Sequence, residues 1–144
     1  MKTLAYLGFT LDEAARLYMG RLEECARDFA LEPMACKTLL VLADNEGVTQ
    51  QRLSELTMLR PVAIGRILDR LEAKGLVRRR QRKGDGRARS VALTREAVKI
   101  LPRLWQAAKE SLRQALAGMS ASEKRVLMDA LHRIPENLSA ATAD

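Results

Sequence analysis

Residues 53–94 read LSELTMLRPVAIGRILDRLEAKGLVRRRQRKGDGRARSVALT, and within them the spacing of apolar residues changes once. As far as Lys74 the apolar positions recur every three or four residues, as on one face of a helix. After Gly75 they recur every second residue, as in a strand: Val77, Arg79 and Gln81 alternate with Arg78, Arg80 and Arg82, then Val91 and Leu93 with Ser90 and Ala92. Two short strands joined through KGDG (83–86) are predicted, with Gly84 and Gly86 free of the Cβ that would hinder a tight turn. Pro61 suits the first turn of a helix that runs to about Lys74, and Gly75 is its C-terminal stop. Thr49 can cap a shorter helix through QQRLSELT, followed by a turn at MLR. A helix, a turn, a second helix and a basic hairpin, in that order, predict a winged helix-turn-helix.

The charge of the chain is concentrated in the same stretch. Arg60 to Arg89 holds eleven cations (Arg60, Arg66, Arg70, Lys74, Arg78, Arg79, Arg80, Arg82, Lys83, Arg87 and Arg89) against the three acids Asp69, Glu72 and Asp85, a net +8. The whole chain carries +7, so the remainder is close to neutral at −1. Like charges crowded on a hairpin repel one another, and that repulsion is relieved when the hairpin lies along a polyanion. A helix in the major groove with an arginine-bearing hairpin on phosphates or in the narrow minor groove is the arrangement such a segment fits.

Outward from this core the periodicity stays helical. Thr10 and Glu13 have capping-box spacing ahead of Ala14, Leu17, Tyr18, Leu22, Cys25, Ala26 and Phe29, which predicts one long amphipathic helix. Pro33 opens a second helix with Cys36, Leu39, Leu40 and Ala43 on one face, ended by the turn-rich DNEG. Thr94 starts a helical stretch through Ile100, Leu104, Ala107, Ala108, Leu112 and Leu116, which Pro102 is expected to interrupt and Gly118 to stop. Ser120 and Glu123 repeat the capping box before a last helix striped by Val126, Leu127, Ala130, Leu131 and Ile134. The expected fold is mainly α with a small β-hairpin wing. Residues 33–94 form the winged helix-turn-helix, and residues 1–32 and 95–144 form helical flanks whose apolar stripes exceed what a small winged domain can cover, which predicts a homodimer.

The block LDRLEAKGLVRR from Leu68 to Arg79, followed by DGRARSVALT from Asp85 to Thr94, resembles the MarR family of bacterial transcriptional regulators. The resemblance is specific in these motifs and compatible with the family along nearly the full chain. It implies that Pro61–Lys74 is a recognition helix, that Arg87 enters the minor groove and that Asp85 holds Arg87 in position. It also implies a ligand-responsive repressor acting as a homodimer on an inverted-repeat operator, with a small-molecule effector, often a phenolic or aromatic acid, as a further partner. This chain departs from the family pattern where small polar residues are usual. Val62, Ala63 and Gly65 stand at the start of the recognition helix, with Arg66 the nearest long donor, so base reading leans on thymine methyl groups and one arginine. The DNA-binding residues expected are Arg60, Val62, Ala63, Gly65, Arg66, Arg70, Arg80, Arg82, Lys83, Asp85, Arg87 and Arg89.

Two alternatives belong to the same fold. Some relatives sense oxidants through a thiol, and Cys36, in the first turns of a helix, is the better candidate than Cys25 for such a redox role, although both lie on apolar faces where cysteine is a small hydrophobe. A winged module docking on RNA or protein is the other. The sequence shows no phosphate-binding glycine loop, no metal-ligand spacing and no nucleophile with a base beyond the lone His132, so neither catalysis nor a cofactor is expected. The N-terminal MKTLAYLGFTLDEAARLY is too short in its apolar part and too soon acidic for a secretory signal, and two cysteines are too few for a disulfide framework. A cytoplasmic protein without membrane contact is the expectation.

Overall fold

A computed structural model of the chain describes residues 6–82 and 84–141, without the side chains of Cys25, Arg82 and residues 85–88. Its elements are α1 (Leu7–Arg27), α2 (Pro33–Asp44), α3 (Gln50–Thr57), α4 (Pro61–Ala73), β1 (Val77–Arg82), β2 (Asp85–Leu93), α5 (Arg95–Ala115) and α6 (Ala121–Ala141). They fall into two compact units, Met1–Ser111 and Leu112–Asp144. The mainly helical chain with one antiparallel hairpin is the winged-helix class expected from the sequence. No helix among the described residues is long and apolar enough to cross a membrane.

Most helix ends follow from the local chemistry. Pro33 and Pro61 each occupy the first turn of a helix, where no N–H is missed. The Thr49 side chain accepts from the Arg52 N–H at 3.1 Å and so caps α3. At the end of α4 the Gly75 N–H donates to the Glu72 carbonyl and the Leu76 N–H to the Leu71 carbonyl, both at 2.9 Å. Gly75 has φ +70°, a left-handed value, and Leu71 and Leu76 are buried beside the turn, so the helix stops in a Schellman motif. In the second unit the Ser120 N–H donates to Glu123 Oε2 at 2.8 Å and the Glu123 N–H to Ser120 Oγ at 3.3 Å, which completes the capping box ahead of α6.

Three expectations are corrected. Thr10 and Glu13 do not cap α1: the helix begins a turn earlier at Leu7, Thr10 Oγ1 donates back to the Tyr6 carbonyl at 3.0 Å, and Glu13 pairs with Arg16. Pro102 does not interrupt its helix, and α5 runs unbroken through it. The proline lies on the solvent side, where water can take the carbonyl it leaves unbonded, while Ala97 and Leu104 hold the opposite side in the core. The second strand begins at Asp85 rather than beyond KGDG, with an irregular register between Gln81 and Arg82.

The core of the first unit forms where α2, α3, α4 and the hairpin meet. Leu39, Leu42, Leu53, Ile64, Leu68, Leu71, Val77 and Val91 are all fully buried, and each contributes about 1.5–3 kcal/mol by leaving water. Ala97 and Leu104 bring α5 onto the same cluster. The hairpin is anchored along the outer edge of β2. The Val91 N–H donates to the Val48 carbonyl at 2.8 Å, the Gly47 N–H donates to the Val91 carbonyl at 3.1 Å, and Thr49 bridges Ser90. At its base Thr94 Oγ1 donates to the Gly75 carbonyl at 2.6 Å and accepts from the Ala97 N–H, so one residue closes the hairpin and caps α5.

Candidate nucleic-acid interface

The N-terminal end of α4 is presented by a tight turn. Ser54 Oγ donates to the Leu59 carbonyl at 2.5 Å, which closes α3 onto the turn, and Leu59 packs on the core. Met58 ends α3 in the left-handed region, φ 54°, with its side chain outward. From there Arg60, Val62 and Arg66 are exposed, while Ala63 and Gly65 are half-buried. A Cβ placed on Gly65 would sit 3.4 Å from Gln50 Nε2, so the Gln50 amide of α3 reaches across to α4 beside the residues expected to read bases.

The antiparallel register pairs Arg79 with Val91 and Arg80 with Ser90. Strand alternation puts Val77, Arg79 and Gln81 on one face and Arg78 and Arg80 on the other. Arg79 therefore points the way Val77 does, toward α4, and not outward with its neighbours. Its Nη2 donates to Glu72 at 2.7 Å and to Asp69 at 2.5 Å, its Nε to Glu72 at 3.1 Å, and its backbone N–H to Glu72 at 3.2 Å. The Arg79 side chain is only 14% exposed. Hydrogen bonds from the Arg79 side chain, and then from its backbone N–H, hold the Glu72 pKa below the ordinary carboxylate value, while donating to the Glu72 carboxylate raises that of Arg79. Asp69 and Glu72 lie three apart on α4, so both carboxylates meet one guanidinium. This clamp fixes the wing strand to α4, and two of the three acids in the basic stretch are used within it.

The other predicted residues divide clearly. Arg60, Arg66, Arg80 and Arg89 are exposed, with Arg78 exposed beside Arg80 on the outer face of β1. Arg70 is exposed and pairs with Glu32 ahead of α2. Lys83 lies outside the described residues, as do the side chains of Arg82, Asp85 and Arg87. Cys36 is 6% exposed within the core of α2 to α4, and the Cys25 side chain is not described. Sequence reasoning missed Arg79 as a clamp, Gln50 as a neighbour of α4 and Arg78 as a companion of Arg80. Period-two alternation held the signal for both arginines, and a glycine in mid-helix held it for Gln50. Beside Arg70, a pocket of about 450 Å³ is lined by Leu31, Ala35, Ile67 and Leu71, with Glu32 and Lys74 also on its wall.

Comparison with known proteins places these elements in a family. A model of the MarR family matches residues 31–88, from the approach to α2 into the wing. The HTH-type transcriptional regulator YdgJ of Bacillus subtilis is 32% identical over 102 residues, 71% of this chain; the match spans 61% of that relative's length. Transcriptional regulator HosA of Escherichia coli is 30% identical over 93 residues, 65% of this chain and 69% of the relative. A crystal structure of a mutant E. coli MarR complexed with operator DNA superposes with a TM-score of 0.79 at 22% identity, covering 89% of this chain and 92% of that one, a likeness of fold. With the matched segment running through the turn and the presented helix into the clamped basic hairpin, the chain belongs to the MarR family of transcriptional regulators.

Proposed function

We propose that the chain is a repressor that binds an inverted-repeat operator as a homodimer, α4 entering the major groove and the wing following the phosphates or the minor groove. The observation that carries this reading is the clamped pair of elements: Arg60 just ahead of α4 and Arg66 within it are exposed, the hairpin exposes Arg78, Arg80 and Arg89, and Arg79 locks the two together. The E. coli MarR solved with operator DNA shares this fold, which supports the same use here. Uncovered apolar side chains support the dimer. In the first unit Tyr6, Leu7, Phe9 and Leu17 of the N-terminal segment are exposed, and in the second α6 buries none of its residues and exposes Val126 and Met128. The pocket beside Arg70 and Lys74 supports a small anionic effector. A salt titration on duplex DNA tests the reading. A dimer making about 6–10 phosphate contacts loses on the order of 10³–10⁵ in affinity between about 50 and 200 mM salt, and a flat response refutes it.

A further inference from the structure

We propose that Met58, with Val62, is a specificity-determining contact that reads the 5-methyl group of thymine in the major groove. This rests on the DNA-binding reading above and extends it to a residue of the turn that precedes the recognition helix. The turn itself has no use for a methionine. Met58 holds φ 54°, where glycine or asparagine is the easier choice, and 76% of it is exposed, whereas the next residue, Leu59, turns into the core. A bulky apolar side chain is thus held outward at a backbone position that disfavours it.

The polar side chains of the same turn are engaged inward. Thr57 Oγ1 donates to the Leu53 carbonyl at 2.7 Å, and Ser54 Oγ to the Leu59 carbonyl. Between Met58 and Arg66 the side chains left exposed are Met58, Arg60, Pro61, Val62 and Arg66, with Val62 67% exposed. Two arginines interleaved with exposed apolar side chains suit a groove walled by phosphates. Thymine alone among the four bases presents a methyl group there. An unbranched thioether adapts its shape to such a group better than a branched side chain does. Cytosine methylated at C5 presents the same group at the same edge, so the surface distinguishes methylated from unmethylated cytosine as well.

Duplexes enriched by the purified full chain from a random-sequence library supply the probe. Each is remade with deoxyuridine for thymidine, which removes the methyl groups and keeps the hydrogen-bonding edges. The parent is expected to bind the deoxyuridine form about fourfold more weakly per methyl contacted, the equivalent of about 0.8 kcal/mol for one such group leaving water. Met58→Gly suits the left-handed turn and should fold at least as stably, yet it should lose the part of this discrimination that Met58 carries. Adding Val62→Ser should remove the rest. Equal affinity of the parent for both duplexes overturns the proposal, as does a Met58→Gly variant that discriminates like the parent. If no duplex is enriched, the DNA-binding reading fails and this inference falls with it; enrichment that ignores the methyl groups overturns this inference alone.

Discussion

Replacing Arg79 with methionine tests the clamp directly, because methionine keeps most of the apolar stem and removes the guanidinium. A hydrogen bond to a charged group contributes about 1.5–3 kcal/mol when sheltered. The Arg79 side chain is sheltered, but the side chains of Glu72 and Asp69 are 40% and 65% exposed. The Glu72 arm therefore counts near the lower end, about 1.5 kcal/mol, and the Asp69 arm adds no more than about 0.5 kcal/mol after screening by solvent. The expected loss of about 2 kcal/mol corresponds to a fall in Tm of roughly 8 °C for a chain of this size. Calorimetry reads that number, and its acid dependence supplies a control. Glu72 has a lowered pKa, so its contribution is present above the ordinary value of about 4.3 and is lost as pH falls through its folded-state value. The gap in Tm between parent and variant should narrow in that window. In DNA binding the variant should weaken affinity while the slope against log salt stays unchanged, since Arg79 faces α4 and not phosphate. An unchanged Tm would refute the clamp, and a slope reduced by about two, one for each protomer of the dimer, would place Arg79 on a phosphate instead.

Other substitutions separate the remaining parts. Arg66→Ala should cost about 1–3 kcal/mol on a selected operator and less on scrambled duplex if it reads a base, as paired binding isotherms will show. Arg87→Ala should weaken both duplexes alike, with an extra loss beside A·T-rich flanks, and an unchanged operator affinity would remove the wing from the interface. Val126→Asp combined with Phe9→Asp should shift sedimentation from dimer to monomer without unfolding the first unit; a parent that sediments as a monomer at micromolar concentration refutes the dimer. Gly75→Ala forces a Cβ into φ +70° and should destabilise by about 1–2 kcal/mol in urea titration.

The sequence was most legible where one residue type answers one local requirement. Pro33, Pro61, Thr49 and Gly75 each meet a demand of the helix end they occupy, and all four stand where the pattern put them. Thr10 misled because its hydroxyl satisfies the Tyr6 carbonyl from within a helix as readily as it would cap one. Pro102 misled because propensity says nothing of which side of the helix meets water. The interface was legible as a charge excess but not as an arrangement: eleven cations in a row of letters look alike, and only the hairpin register turns Arg79 away from Arg78 and Arg80. The bridge from residues 47–49 to β2 was invisible for another reason, since main-chain pairing over so few residues leaves no side-chain period.

The register shift between Gln81 and Arg82 divides the hairpin into a base and a tip under different constraints. Residues that face the core or the clamp, Val77, Arg79 and Val91, all lie on the base side of the shift. Adding one residue within paired strands would swap their inward and outward faces, but a residue added beyond the shift leaves every base pair of residues in register. The wing is thus built to vary in length at one end only. Among chains with this architecture, insertions should gather between Arg82 and Asp85, changing how far the wing extends along a duplex while leaving its attachment to α4 intact.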